Sequence, residues 1–261
     1  MPETTIMSAA ISPIPIIQVD RLTKKFGDFV ATDAISFEVQ TGEIFGFLGA
    51  NGAGKTTAIR MLCGLLQPSS GAASVAGLDV FTQAEQIKKR IGYMSQRFSL
   101  YQDLSIRENI RFYGGIYGLA RAEIRHRTDL LLERLQLGQQ ADDLVKRLPL
   151  GWKQKLAFSV ALLHEPAVVF LDEPTGGVDP LTRRQFWEMI YEAASRGVTV
   201  FVTTHYMDEA EYCHRVSIMV DGRIAAMGSP ADLKKQTGAS SMNDVFVDLV
   251  RPLSQLGSSI G

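Results

Sequence analysis

Residues 43–57, EIFGFLGANGAGKTT, decide how the rest of the chain is read. The apolar run EIFGFLGA reads as a buried strand entering a glycine-rich turn. KTTAIRMLCGLL continues from it as a helix, with apolar positions three and four apart. Gly49, Ala50, Asn51, Gly52, Ala53, Gly54, Lys55 and Thr56 fit G-x-x-x-x-G-K-[ST] in full, in the strand–turn–helix setting that the mechanism needs. Glycines let successive backbone N–H groups converge on a polyphosphate, and the start of a helix adds a favourable dipole. Lys55 is expected to reach the β- and γ-phosphates of a nucleotide. The Thr56 hydroxyl is expected to ligate Mg²⁺, and Thr57 completes the nucleotide contacts.

A second stretch supplies the carboxylates. AVVFLDEP, residues 167–174, reads as a buried strand ending in Asp172 and Glu173. A carboxylate at that strand end can hold Mg²⁺, directly or through water. Glu173, one residue on, is placed to polarise an attacking water.

Outward from these two sites the chain alternates strands and helices. IIQVDRLTKKF and AISFEVQ have the alternation of half-buried strands, divided by the turn-prone Gly27-Asp28. The segment QPSSGAASVAGLDV reads as turn-rich, and IGYMSQ as a short strand. TVFVTTH, VSIMVDG and RIAAMG are further short strands, with the helix RRQFWEMIYEAASRG before the first of them. Between about residues 99 and 163 the texture becomes helical with charged faces, as in a helical subdomain inserted into an α/β core. Strands alternating with helices predict a mainly parallel sheet covered on both faces. Residues 1–15 read as a flexible leader. After residue 235 the chain reads as a tail holding a short amphipathic helix at NDVFVDLV.

Composition narrows the function. The 261 residues carry 27 Lys+Arg against 28 Asp+Glu, a formal net charge of −1, which argues against a nucleic-acid binder held by phosphate neutralisation. Two distant cysteines, Cys63 and Cys213, show no metal-ligand spacing and fit a reducing compartment as buried apolar residues. The start has an acidic Glu3, no basic n-region and prolines in place of an apolar h-region, so it does not read as a signal peptide. The strongest apolar region is broken by His164, Glu165 and Pro166 and cannot span a bilayer. The chain is expected to be soluble by itself and to meet a membrane through a partner.

With these motifs in place, residues 16–235 resemble the nucleotide-binding subunit of an ABC transporter. The resemblance implies a P-loop NTPase cassette: an α/β fold with a mainly parallel sheet core, an antiparallel β subdomain and an inserted helical subdomain. It implies ATP and Mg²⁺ as cofactors. Its partners would be a second ABC cassette, as a homodimer or a fused or heteromeric pair, and integral membrane permease subunits, with no nucleic acid. The chain would sit at the cytoplasmic face of the membrane.

Site residues carry over by position. Phe26, in KKFG, matches the aromatic that stacks on adenine. Gln96, in YMSQ, matches the glutamine that contacts Mg²⁺ and senses the membrane partner. Asp179, in TGGVDP, resembles the loop that crosses the dimer interface, where Ser-Gly-Leu-Asp is more usual. His205, in TTHYMDEAE, resembles the histidine that contacts the γ-phosphate. ENIRFYGGIYGL, THYMDEAEYCHRV and MNDVFVDLV are most similar to ATPases of the ABC-2 export type, drug-efflux systems included.

One loop departs from the pattern. Where the family usually has Leu-Ser-Gly-Gly-Gln, this chain has Leu148, Pro149, Leu150, Gly151 and Trp152, followed by the usual KQKL. In the family this loop closes over the ATP held by the other subunit. Pro149 removes a hydroxyl and one backbone donor, and a hydrogen bond to a charged group contributes about 1.5–3 kcal/mol. Felt only in the transition state, that loss slows the reaction roughly ten- to a hundred-fold. Proline suits the first turn of a helix, so the helix start and the Gly151 amide can still face a phosphate. Trp152 offers a flat surface to the opposite subunit. Two other readings stand beside the transporter ATPase. One is a non-hydrolysing regulatory cassette, against which the complete set of Lys55, Thr56, Gln96, Asp172, Glu173 and His205 counts. The other is a soluble ATPase of the same family acting on ribosomes or DNA, against which near-neutral charge and the lack of a coiled-coil arm count.

Overall fold

The computed structural model describes residues 15–96 and 100–257, with side chains described up to residue 250. The leader read over residues 1–15 lies, apart from Pro15, outside the described residues. Two sheets and their covering helices make up the rest. Strands β1 (Ile17–Phe26), β2 (Phe29–Val39), β4 (Ser70–Val75) and β5 (Leu78–Asp79) form an antiparallel sheet in the order β2-β1-β4-β5. Strands β3 (Ile44–Gly49), β6 (Ile91–Met94), β7 (Val168–Asp172), β8 (Thr199–Thr204), β9 (Arg215–Val220) and β10 (Arg223–Gly228) form the second sheet. Its order is β10-β9-β3-β8-β7-β6, parallel throughout except for the β9–β10 hairpin.

The central strand explains the layering. Every residue of β3 is buried, and its period of two divides the core. Phe45 and Phe47 face the antiparallel sheet, and their rings lie 5.3–5.6 Å from those of Phe37 on β2 and Phe201 on β8. Ile44 and Leu48 face the opposite way, into a core shared with α3 (Ile106–Ile116), α4 (Arg121–Arg134), α5 (Leu150–Ala161) and α6 (Pro180–Ser195). Helix α1 (Lys55–Leu62) packs on the phenylalanine side, with α2 (Ala84–Arg90) contributing Ile87.

Several elements differ from the sequence reading. The turn-rich segment at residues 67–80 contains β4 and β5; its small residues have weak strand propensity, and backbone pairing with β1 together with burial of Ala73, Val75 and Leu78 holds them as strands. Helix α1 stops at Leu62, four residues before the periodic pattern ends, where Gly64 turns the backbone to φ +67°. Strand β2 begins at Phe29, earlier than the alternation showed, and Ala34 breaks its rhythm at φ +48°. A helix not foreseen, α7 (Pro230–Thr237), opens on a Ser229 cap with Pro230 at its first position. The amphipathic segment near the C-terminus is longer than read: α8 spans Met242–Gly257, and it buries Met242 and Val245 in the main core. Helix α3 starts on a capping box, Ser105 with Glu108, which fixes its first turn. Cys63 and Cys213 are free and buried, and burial pushes both thiols up. Among the described residues no helix is long and apolar enough to cross a membrane.

Candidate functional site

The parallel strands β3, β7 and β8 all end on one side of the sheet, and their following residues converge there. From the end of β3 the chain passes through the exposed Ala50, Asn51 and Gly52 and the buried Ala53 into α1. Gly54 occupies the cap position at φ +102°, and a Cβ there would lie 2.3 Å from the Ala31 carbonyl oxygen. Only glycine satisfies both the angle and the space. The first intrahelical bond runs from Ala58 N to Gly54 O, so the amides of Lys55, Thr56 and Thr57 are left as donors at the positive end of the helix.

Lys55 is 4% exposed, and its ammonium donates to the carbonyls of Gly49 (2.8 Å) and Ala50 (3.0 Å). It also lies 3.6 Å from Glu173 Oε1. Burial lowers its pKa, and the Glu173 carboxylate opposes that shift. Asp172, at the end of β7, accepts from Thr203 Oγ1 at 2.7 Å and from Thr56 Oγ1 at 3.2 Å. Burial pushes its carboxyl up against those two hydrogen bonds. Its second oxygen, Oδ2, is buried without a hydrogen-bond partner. A buried carboxylate oxygen without a donor beside a threonine hydroxyl is a hard-oxygen pair suited to a divalent cation.

Glu173 has φ +50°, a left-handed conformation that is strained for a non-glycine residue by about 1 kcal/mol or more. Its amide is held by the Thr203 carbonyl (3.1 Å) and hydroxyl (3.0 Å). This turn aims the side chain at the loop: Oε2 accepts from Gln96 Nε2 at 2.9 Å and stands 3.1 Å from His205 Nδ1. Lys55, Gln96 and His205, scattered over 150 positions of sequence, thus surround the Glu173 carboxylate, with Asp172, the partner of Thr56, next to it in the chain. Thr203 was not singled out from the sequence, although it ties Asp172 to Glu173. Its signal was a pair of hydroxyls, Thr203-Thr204, closing a strand after the apolar run at residues 200–202.

The other expected residues stand apart from this cluster. Phe26 lies at the tip of the β1–β2 hairpin, half exposed, with Lys24 Nζ 5.0 Å from its ring centroid. Asp179 caps α6, accepting from Thr182 N (2.9 Å) and Thr182 Oγ1 (2.5 Å), and these bonds pull its carboxyl below the ordinary range. The departing loop needs two corrections. Pro149 is the cap of α5 and not in its first turn, because its ψ of 153° is extended and Leu150 is the first helical residue. Its missing N–H therefore falls outside the helix, and the first-turn amides belong to Leu150, Gly151 and Trp152. Trp152 does not present a free face: it is half buried against the helical core, with Lys155 Nζ 4.9 Å above its ring. Leu150 is exposed and borders a cavity of about 280 Å³ that also touches Gln96, Gln154 and Glu173.

Comparison with known proteins agrees with this geometry. The family model described as ABC transporter matches residues 32–176. The chain is 48% identical over 240 residues to a probable multidrug ABC transporter ATP-binding protein of Escherichia coli, YbhF, covering 90% of this chain and 42% of that protein. It therefore spans less than half the length of that relative. A Nod factor export ATP-binding protein of Cupriavidus metallidurans is 38% identical over 239 residues, 91% of this chain and 79% of the relative. A solved ATP binding subunit of an ABC transporter superposes with a TM-score of 0.81 at 29% identity, over 90% of this chain and 99% of that one. With the family model spanning more than half of its residues and the strand-end loop, carboxylates and histidine assembled in one place, this chain belongs to the ABC transporter family and is one of its ATP-binding cassettes.

Proposed function

We propose that the chain binds and hydrolyses ATP to power a membrane exporter of the ABC-2 type, in drug or multidrug efflux. The observation carrying this reading is the meeting of Lys55, Gln96 and His205 on the Glu173 carboxylate, beside the Asp172–Thr56 pair. The loop amides from Gly49 to Thr57 and the Lys55 ammonium bind the β- and γ-phosphates. The Glu173 carboxylate takes the proton of the water that attacks the γ-phosphorus, and its left-handed backbone keeps it aimed there. His205 and Gln96 hold that carboxylate and the γ-phosphate in register. Thr56, Asp172 and Gln96 would hold Mg²⁺, which when bound supplies charge neutralisation for the phosphates. Phe26 stacks on the adenine.

The cassette comprises residues 16–235, with the helical subdomain at about 99–163. A second cassette pairs with it head to tail, so that Leu150, Gly151 and Trp152 at the start of α5, with Pro149 and Asp179, lie at the other ATP. Integral membrane subunits hold the pair at the cytoplasmic face of the membrane. The names of the relatives, multidrug ABC transporter and Nod factor export ATP-binding proteins, support export as the direction. Purification of the tagged chain from membranes tests the reading: an integral permease should co-purify and the complex should release phosphate from ATP. Recovery with ribosomes, or a permease complex that binds ATP without phosphate release, would replace it.

A further inference from the structure

Behind the reaction cluster lies a second, buried polar group that the mechanism does not use. Glu209 sits in the 3-10 turn Met207–Tyr212 that follows His205, and its side chain is fully buried. Its Oε1 accepts from the Thr175 hydroxyl at 2.6 Å, and Thr175, two residues after Glu173, is itself 1% exposed. Arg183, from the first turns of α6, brings Nε to 3.5 Å from the same oxygen. The Arg183 guanidinium also lies 4.1 Å from the centroid of the Tyr206 ring, and reaches Asp208 at 3.6 Å. The Tyr206 ring in turn is 4.2 Å from that of His205.

We propose that Glu209 is a positioning residue that joins the Glu173 segment, the His205 segment and the start of α6 into one unit. A buried carboxylate without a charged partner is costly, so the three elements cannot separate without leaving Glu209 or Arg183 unpaired. Any movement of Asp179 and Thr182 at the start of α6 therefore reaches Tyr206 through Arg183, and His205 through Tyr206. On the other side it reaches Glu173 through Thr175. The network is not saturated: Glu209 Oε2 and Arg183 Nε make no hydrogen bond, which leaves the ion pair room to tighten from 3.5 Å. Glu209 touches no nucleotide position in this arrangement; it acts through its neighbours.

The inference rests on the hydrolytic reading above, and its test separates the two. In the full-length protein Glu209→Gln keeps an acceptor for Thr175 but removes the charge that draws Arg183. It should lower kcat for ATP about tenfold and leave KM for ATP within twofold. Thr175→Val should do the same, and Thr175→Ser should restore the rate. Arg183→Gln combined with Glu209→Gln should be no slower than either change alone, because both act through one contact. A readout without turnover accompanies these. With four histidines in the chain, isotope-labelled histidine spectra should show the His205 signal displaced in Glu209→Gln. Independent, additive losses in the double variant, KM rising in step with falling kcat, or an unmoved His205 signal would each overturn the proposal. A wild-type protein that releases no phosphate would overturn the hydrolytic reading, and the His205 signal alone would then decide this one.

Discussion

The loop around Lys55 and the loop around Gly151 are both helix starts that we propose face a phosphate, yet they are built in opposite ways. The first hangs between a wholly buried strand and a buried helix face, and Gly54, the Ala31 carbonyl and Asp172 leave it one shape. The second stands at the exposed start of α5, with no side-chain cap, and is bolted sideways to the segment after β7. Gln154 Nε2 donates to the Gly176 carbonyl at 3.1 Å, and Lys155 Nζ to Gln185 at 2.7 Å. A Cβ on Gly151 would meet Thr182 Cγ2 at 2.4 Å. The contrast teaches that a loop fixed by its own strand leaves no substitute for Gly54, whereas one braced by a neighbouring segment can carry Pro149 and Leu150 and keep its helix start.

Five substitutions break or sharpen this contrast. Glu173→Gln removes the proposed proton acceptor and should slow phosphate release by about 10²–10⁴-fold while leaving ATP bound in a stable dimer; unchanged release would remove Glu173 from its role. Lys55→Ala should weaken nucleotide binding by about a hundredfold, seen by titration with a fluorescent ATP analogue, and retained affinity would sink the phosphate-loop reading. Thr203→Val takes a donor from Asp172 and an acceptor from the Glu173 amide, and should reduce turnover by roughly tenfold, since an unmade bond to a buried charge costs about 1–3 kcal/mol. Gly151→Ala forces Thr182, itself fixed by Asp179, to move; it should lower unfolding free energy by about 1–3 kcal/mol in urea titration and reduce turnover with ATP affinity unchanged. Pro149→Ser supplies the missing cap and hydroxyl, and should raise turnover by about two- to tenfold. A fall instead would show that Pro149 sets a working geometry of its own.

Much of the reaction cluster was legible because its parts are punctuated locally. A glycine run between a strand and a helix, an Asp-Glu pair at the end of an apolar strand and a histidine after another apolar strand each carry their own signal. Thr203 was passed over because a threonine in a strand is ordinary, and its role depends on β8 lying beside β7. Glu209 and Thr175 were passed over for the same reason, since their bond joins residues 34 positions apart. Trp152 was assigned outward on its size, but the neighbouring helices of its own subdomain half cover it. The small residues of β4 became a strand because β1 pairs with them and the core takes up Ala73 and Val75.

By itself the sequence determined the phosphate loop, the strand-end carboxylates and the α/β class, because steric demands on glycine and the period of buried strands act within a few residues. The tertiary structure alone decided that Lys55, Gln96 and His205 meet on the Glu173 carboxylate, and that Pro149 caps a helix whose Gly151 lies close against Thr182. Those outcomes depend on the parallel strand order and on which loops the helical subdomain leans against, and neither is written in any single stretch of the chain.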